Sequence, residues 1–405
     1  MDSTVRESAL PYVRIGVALI VLFLSCSALL SCSSGGDDDD DSEHNESTDD
    51  STGDTSNFAL TGTTDANGFL ALPFNIDEGV TKFAITAQST APLVLIDSLT
   101  SPAGIEQLLA RAGVSRAGTF EFGLSVANVP AADTSPSVIP GVYTVSIIAA
   151  LQTLGLDYVP ASSSVAGIAI TSSGDSDFSA GALPVNVFFV TPISADSSVV
   201  SAVEAALTEW QRIYQDEANI SVELTLFDIA GPVALPLPFF GDQFYLDASS
   251  SVASPAINVF IGEDTDNIPG DSDSALLGIS PGIPGPPIPT QKSALAVSII
   301  DSAGPNGEFS AEEILVLGET LAHETGHYLG VFHPIELDSS PRVTDVDPLD
   351  DTPTCATQAE CYANPDLTHN LMFPFPVLDE SGSFIRQNIL TGQQAGVMNR
   401  YVVVQ

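Results

Sequence analysis

Between Phe58 and about Ser179, apolar and polar positions alternate in short runs, "TKFAITAQ", "APLVLID", "TFEFGLSVANV" and "GVYTVSIIAAL", parted by clusters of Gly, Pro, Asp and Ser. A period of two sends successive side chains to opposite faces. These runs therefore read as strands, and their frequent turn residues predict a β-sandwich over 58–180. One stretch, "GIEQLLARAGV", carries helical spacing instead. From Val185 the rhythm changes. "VNVFFVTP" reads as a buried strand, and "VVSAVEAALTEWQRIYQDEA" puts Val203, Leu207, Trp210 and Ile213 on one face of an amphipathic helix. "ISVELTLFDIAG" alternates Val222, Leu224 and Leu226 as a strand, and "AINVFIGED" and "SALAVSIID" follow as two more. Between those last two lies "GISPGIPGPPIP", which predicts an irregular, surface-exposed loop. A helix from about Ser310 completes an α+β domain over 181–405 with a mixed, twisted sheet.

The first 57 residues do not belong to either pattern. Arg6 and Arg14 precede an apolar run from Ile15 to Leu30, and "ALLSCSSGG" follows, which predicts an export signal over 1–32. Leu29, Leu30, Ser31 and Cys32 resemble a bacterial lipobox, whose cysteine is lipidated and begins the mature chain; Cys26 is the second candidate. An uncleaved membrane anchor and simple secretion are the alternatives. The first two place the folded part on the cell envelope, lipid-anchored at the outer membrane in the lipoprotein reading, and the third makes it extracellular. Residues 33–57, with the run Asp37 to Asp41, hold hardly an apolar side chain and predict a flexible acidic tether.

Charge then narrows the partners. With 52 acidic against 10 basic residues the formal charge is −42, which repels phosphate backbones and excludes nucleic acid as a partner. Basic partners or cations suit such a surface.

The chemistry concentrates in "LAHETGHYLGVFHP", residues 321–334, which holds three of the chain's five histidines. On a helix, His323 and His327 lie four apart on one face with Glu324 beside them. Gly330 is free to adopt positive φ and end the helix, swinging His333 toward the same point. Three neutral nitrogens suit zinc with a fourth position open for water, and Glu324 is placed to act as general base on that water. A structural zinc site would more often use cysteines and has no need of the glutamate.

These residues match H-E-x-x-H-x-x-G-x-x-H, and the chain here resembles the metzincin zinc metallopeptidases over about Val185 to Tyr401. Within them it is similar to the pappalysin and cytophagalysin group, because "DVDPLDDTPTC", "HNLMFPF" and "LTGQQAGVMNR" follow in that group's order. The resemblance implies a zincin-like catalytic domain acting on polypeptide substrates, with Met372 as the methionine of the turn beneath the three histidines. It departs at Pro374, where some metzincins carry a tyrosine that adds a zinc ligand. His369, before the same turn, is given no role.

Cys355 and Cys361, six positions apart in an exported chain, read as a disulfide pinning a loop near the substrate cleft, with a free thiol pair as the alternative. Two acidic clusters, Asp264, Asp266, Asp271 and Asp273, and Asp345, Asp347, Asp350 and Asp351, offer hard oxygens for calcium or are plain solvated loops. Calcium at the second is also what the family resemblance implies. The β-rich segment contains no histidine or cysteine, and its residues leave open whether it is a pro-domain or an accessory module. Two rivals to a surface-tethered zinc endopeptidase stand beside it: a catalytically idle binding or adhesion lipoprotein of the same fold, and a hydrolase of another substrate.

Overall fold

The structure is a computed structural model that describes residues 60–108, 117–120, 124–152, 158–190, 196–229, 243–250, 252, 256–262, 277–287, 295–298, 303, 308–337 and 343–405. The export signal, the acidic tether, Cys26, Cys32 and the cluster Asp264, Asp266, Asp271 and Asp273 lie outside these residues. Among the described residues no helix is long and apolar enough to cross a membrane.

The alternating segment forms β1 (Leu60–Thr63), β2 (Phe69–Ile76), β3 (Lys82–Ser89), β4 (Leu93–Thr100), β5 (Ala117–Phe120), β6 (Leu124–Val129), β7 (Gly141–Gln152), β8 (Tyr158–Pro160) and β9 (Val165–Ser173). They pair antiparallel in two sheets, ordered β1-β9-β3-β6-β5 and β2-β7-β4, with β8 on β7. Alternation decides what lies between the sheets: Leu72, Phe74 and Ile76 of β2 are buried, as are Val145 and Ile147 of β7. Phe74, Phe83 and Tyr143 fill its middle, with ring centroids between 5.3 and 6.0 Å apart. The helix expected in "GIEQLLARAGV" is absent where it is described. Residues 104–108 are a bend whose Glu106 bridges to Thr100 and accepts hydrogen bonds from the Leu99 and Leu108 N–H groups. Those contacts return the chain along β4, a tertiary demand that outweighs local helical spacing. The rest of that stretch, 109–114, lies outside the described residues.

The second unit is mixed α and β: β10 (Gly181–Val190), α1 (Ser197–Ala218), β11 (Ile220–Ile229), α2 (Gln243–Ser249), β12 (Ile257–Gly262), β13 (Gly278–Ile279), β14 (Leu295–Ser298), α3 (Ala311–Tyr328), β15 (Ile335–Leu337), β16 (Val343–Val346), α4 (Gln358–Ala363), α5 (Pro365–Thr368) and α6 (Gly392–Asn399). Its sheet runs β11-β10-β12-β14-β13, parallel except for β13, which pairs antiparallel with β14 at the edge. β10 is apolar throughout because both faces are covered: Leu183, Val185 and Val187 join the core beneath α1 and α3, while Phe188 and Val190 pack with Tyr245 and Phe260. Asp196 caps α1 through the Ser198 and Val199 N–H groups. The predicted face of that helix, Val203, Leu207, Trp210 and Ile213, is buried. Each such side chain stabilises the fold by about 1.5–3 kcal/mol. β11 departs from its predicted alternation: Val222 is buried, but Leu226 is exposed, and Phe227 and Ile229 pack instead on the opposite face with the Phe188 cluster.

"GISPGIPGPPIP" also corrects its expectation of an exposed loop. It begins as β13, and Pro281, Pro284, Gly285, Pro286 and Pro287 are buried. The cause lies elsewhere in the chain. Gly285 donates its N–H to the Tyr328 carbonyl at 2.9 Å, and its own carbonyl accepts from the Tyr401 hydroxyl at 2.8 Å. The Pro286 carbonyl accepts from the Tyr328 hydroxyl at 2.5 Å. Two buried tyrosines thereby find acceptors, and the loop is held against the back of α3.

Candidate metal centre

Helix α3 delivers the first two histidines. Ser310 caps it through the Glu313 N–H while the Glu313 carboxylate takes the Ser310 N–H, and Glu312 and Glu313 complement the positive end of the helix dipole. Its other end stops because Gly330 takes φ +104°. Gly330 N–H reaches the His327 carbonyl and Val331 N–H the Gly326 carbonyl, at 2.9 and 3.0 Å, so the chain reverses and brings in His333.

The three rings meet by their Nε2 atoms, His323 to His333 at 3.2 Å and His327 to His333 at 3.0 Å. Every Nδ1 is engaged on the outside: His323 with the Leu371 carbonyl at 2.7 Å, His327 with the Val331 carbonyl at 2.7 Å and His333 with Glu336 Oε1 at 2.8 Å. A carbonyl can only accept, so Nδ1 of His323 and of His327 carries the hydrogen and each Nε2 presents a lone pair. Burial pushes the His323 ring down to about 3, with His333 adding to the shift, and holds His327 well below its ordinary value. His323 and His327 are therefore held neutral, and ring nitrogens that converge this closely suit a cation between them. Nitrogens about 2.0–2.1 Å from one tetrahedral zinc ion stand about 3.3–3.4 Å apart, so the donor set fits that ion. Among the described residues this is the one cluster of three or more His, Cys, Asp or Glu side chains able to share a metal.

Glu324, next to His323 on α3, accepts a hydrogen bond from the Ser280 N–H of the Pro-Gly loop. Burial raises its carboxyl to about 7, against the opposing pull of His333 and Ser280. Beneath the rings, Met372 is fully buried, and a Cβ on Gly326 would stand 2.6 Å from its sulfur. With glycine there, the helix rests on the methionine without displacing its sulfur. Asn370 fixes the turn: its Oδ1 accepts from the Met372 N–H at 2.9 Å and from the Gln394 amide at 3.2 Å, and its Nδ2 donates back to Gln394 at 2.8 Å. The turn's Leu371 carbonyl is the one that orients His323.

One helical turn before His323, Glu319 is buried and receives Arg386, which also reaches Glu209 on α1. Burial raises the Glu319 carboxyl and Arg386 opposes it. Cys355 and Cys361 form a disulfide with Cα atoms 5.3 Å apart. Cys361 packs among Ile335, Leu367 and Phe373, so the crosslink anchors the chain between His333 and Met372. Among the described residues, the members of the second acidic cluster form no shared metal-ligand group. Asp347 accepts from the Leu349 N–H and the Thr352 hydroxyl, Asp351 accepts from the Gln393 N–H, and the side chain of Asp345 lies outside the described residues. Pro374 follows the turn, and His369 is spent on the Arg386 carbonyl at 3.0 Å. Sequence reasoning did not find Glu336, Ser280, Asn370, Gln394 or the Glu319–Arg386 pair. Asn370 and Gln394 did fall inside the two weak segments "HNLMFPF" and "LTGQQAGVMNR", which the fold joins through this amide pair.

No protein-family description and no curated protein matches this chain. Among solved structures, it is similar to the archaemetzincin from Methanopyrus kandleri over 55% of this chain and 87% of that one, at 12% identity and a TM-score of 0.28. It is also similar to metalloproteinase-II from Bacteroides fragilis over 56% of this chain and 54% of that one, at 14% identity and a TM-score of 0.31.

Proposed function

We propose that the chain is a zinc-dependent endopeptidase of the metzincin type, nearest in motif order to the pappalysin and cytophagalysin group, tethered outside the cytoplasmic membrane by lipid on Cys32. The observation that carries the catalytic reading is the convergence of three Nε2 atoms, each ring locked by its Nδ1 partner, with the raised Glu324 carboxyl on the same helical turn. His323, His327 and His333 would hold zinc, which supplies a Lewis acid for a peptide carbonyl and for water. Glu324 takes a proton from the attacking water and returns it to the departing amine, so one C–N bond breaks and one C–O bond forms. The Ser280 N–H aims the carboxylate for that work and joins Glu324 to the loop that continues β13. At the edge of the sheet among the described residues, β13 presents backbone groups on which an extended peptide can pair.

Digestion of casein with and without a zinc chelator tests this reading. Cleavage that stops on chelation and returns with zinc is expected. A zinc-loaded chain that leaves casein intact would sink it in favour of an idle binding protein or a hydrolase of another substrate. Anchoring has its own measurement: Cys32→Ala should move the protein from the membrane fraction to the soluble one. Retention there would support an uncleaved helix over 15–30, and release by Cys26→Ala alone would transfer the lipid to that residue.

A further inference from the structure

Lys82, on β3 of the β unit, is fully buried. Its ammonium donates to the carbonyls of Asn399, at 3.4 Å, and Val404, and pairs with Asp175 at 3.3 Å. An ammonium is costly to bury, and this one is retained at a joint between the two units where three oxygens satisfy its three hydrogens. On β6, Asn128 grips the same segment from another side: its Nδ2 donates to the Arg400 carbonyl at 2.9 Å and its Oδ1 accepts from the Val402 N–H at 3.2 Å. Ala84 and Ala132 of the β unit belong to the same apolar core as Val402, Val403 and Val404. The Arg400 guanidinium lies 4.8 Å from the Phe178 ring centre.

The gripped segment runs to the metal centre by two routes. Through α6 it leads to Gln394, the partner of Asn370, which holds the Met372 turn and hence the carbonyl that orients His323. Through Tyr401 it leads to Gly285, in the loop whose Ser280 N–H holds Glu324. A segment removed during activation would be expected to meet the enzyme over its cleft. Here the buried, charge-satisfied contact is made with the segment that props the site from behind.

We propose that residues 60–175 are a permanent buttress of the metal-site unit, with Lys82 and Asn128 as positioning residues that set the Met372 turn through segment 399–405, so that the protein works without removal of its β unit. The proposal rests on the reading of the three histidines as a zinc site.

The test inserts a recognition site for a sequence-specific protease after Ser176, at an exposed stretch of backbone, and cuts the zinc-loaded full-length chain under native conditions. The expected result is that the two pieces co-elute, keep their zinc and cleave casein at the rate of the uncut protein. Pieces that part with zinc still bound, or cleavage that rises on cutting, overturn the proposal in favour of a removable pro-segment. In the uncut chain, Lys82→Met and Asn128→Ala should each speed zinc loss to a chelator by about tenfold or more, in the range seen when groups supporting a ligand are removed. Wild-type rates in both variants would sever the proposed coupling. Should Lys82→Met fail to fold, Asn128→Ala and the cut chain decide. Casein cleavage is scored separately. A chain that co-elutes and retains zinc as described yet never cleaves refutes the peptidase reading and leaves the buttress standing.

Discussion

Glu324→Gln should keep its zinc and lose peptide hydrolysis by about 10²–10⁴-fold, the contribution of a well-placed general base. The substitution preserves shape and leaves all three histidines with their Nδ1 partners, since none of those partners is Glu324. An amide cannot take a proton from water. The pH profile of the wild-type chain checks the same assignment independently. Burial raises the Glu324 carboxyl to about 7, and its acid form is inactive as a base. Activity should therefore fall on the acid side, roughly tenfold per unit below the carboxyl's midpoint for one proton. Zinc's positive charge favours the carboxylate and draws the midpoint below about 7. A variant that cleaves near the wild-type rate, with zinc confirmed by metal analysis, would remove Glu324 from the mechanism.

How much of this site was legible depended on how local each contact is. His323, Glu324 and His327 share one helical turn, and Gly330 sits where a reversal must follow, so helix geometry alone brings them together. The amphipathic face of α1 was readable for the same reason. The partners that lock the rings were not. Glu336 lies only three residues beyond His333, but nothing in its spacing marks it as that ring's acceptor. Ser280 sits in a stretch of Pro and Gly that reads as solvent-exposed until Tyr328 and Tyr401 are seen to need its neighbours' carbonyls. Lys82 and Val404 stand 322 positions apart, and a lone lysine in an alternating strand reads as an outward charge. The misplaced helix at Gly104 has the same origin: Glu106 serves the backbone of β4 rather than a helix face. Periodicity reports which way a side chain faces within its own element, and these residues are defined by what another element requires.

Removing zinc should lower the stability of the protein as well as silence it. The Nε2 atoms stand 3.0 and 3.2 Å apart around one point, with the tautomers of His323 and His327 fixed by carbonyls that cannot donate. An ion that binds only the folded form at 1,000 times its dissociation constant adds about 4.1 kcal/mol. For a unit of this size each kcal/mol moves the melting temperature roughly 2–4 °C, so chelation should lower it by roughly 8–16 °C. Three variants grade the effect. Glu324→Gln should show the full drop, because its ligands are intact. Glu336→Gln weakens the acceptor that orients His333 and should reduce zinc affinity about 10–100-fold, which is about 1.4–2.7 kcal/mol less stabilisation at fixed free zinc. His327→Ala leaves two rings and should melt at the same temperature with or without chelator. A wild-type chain whose melting temperature ignores zinc would mean that the three nitrogens do not hold the ion, and the catalytic assignment would fall with them.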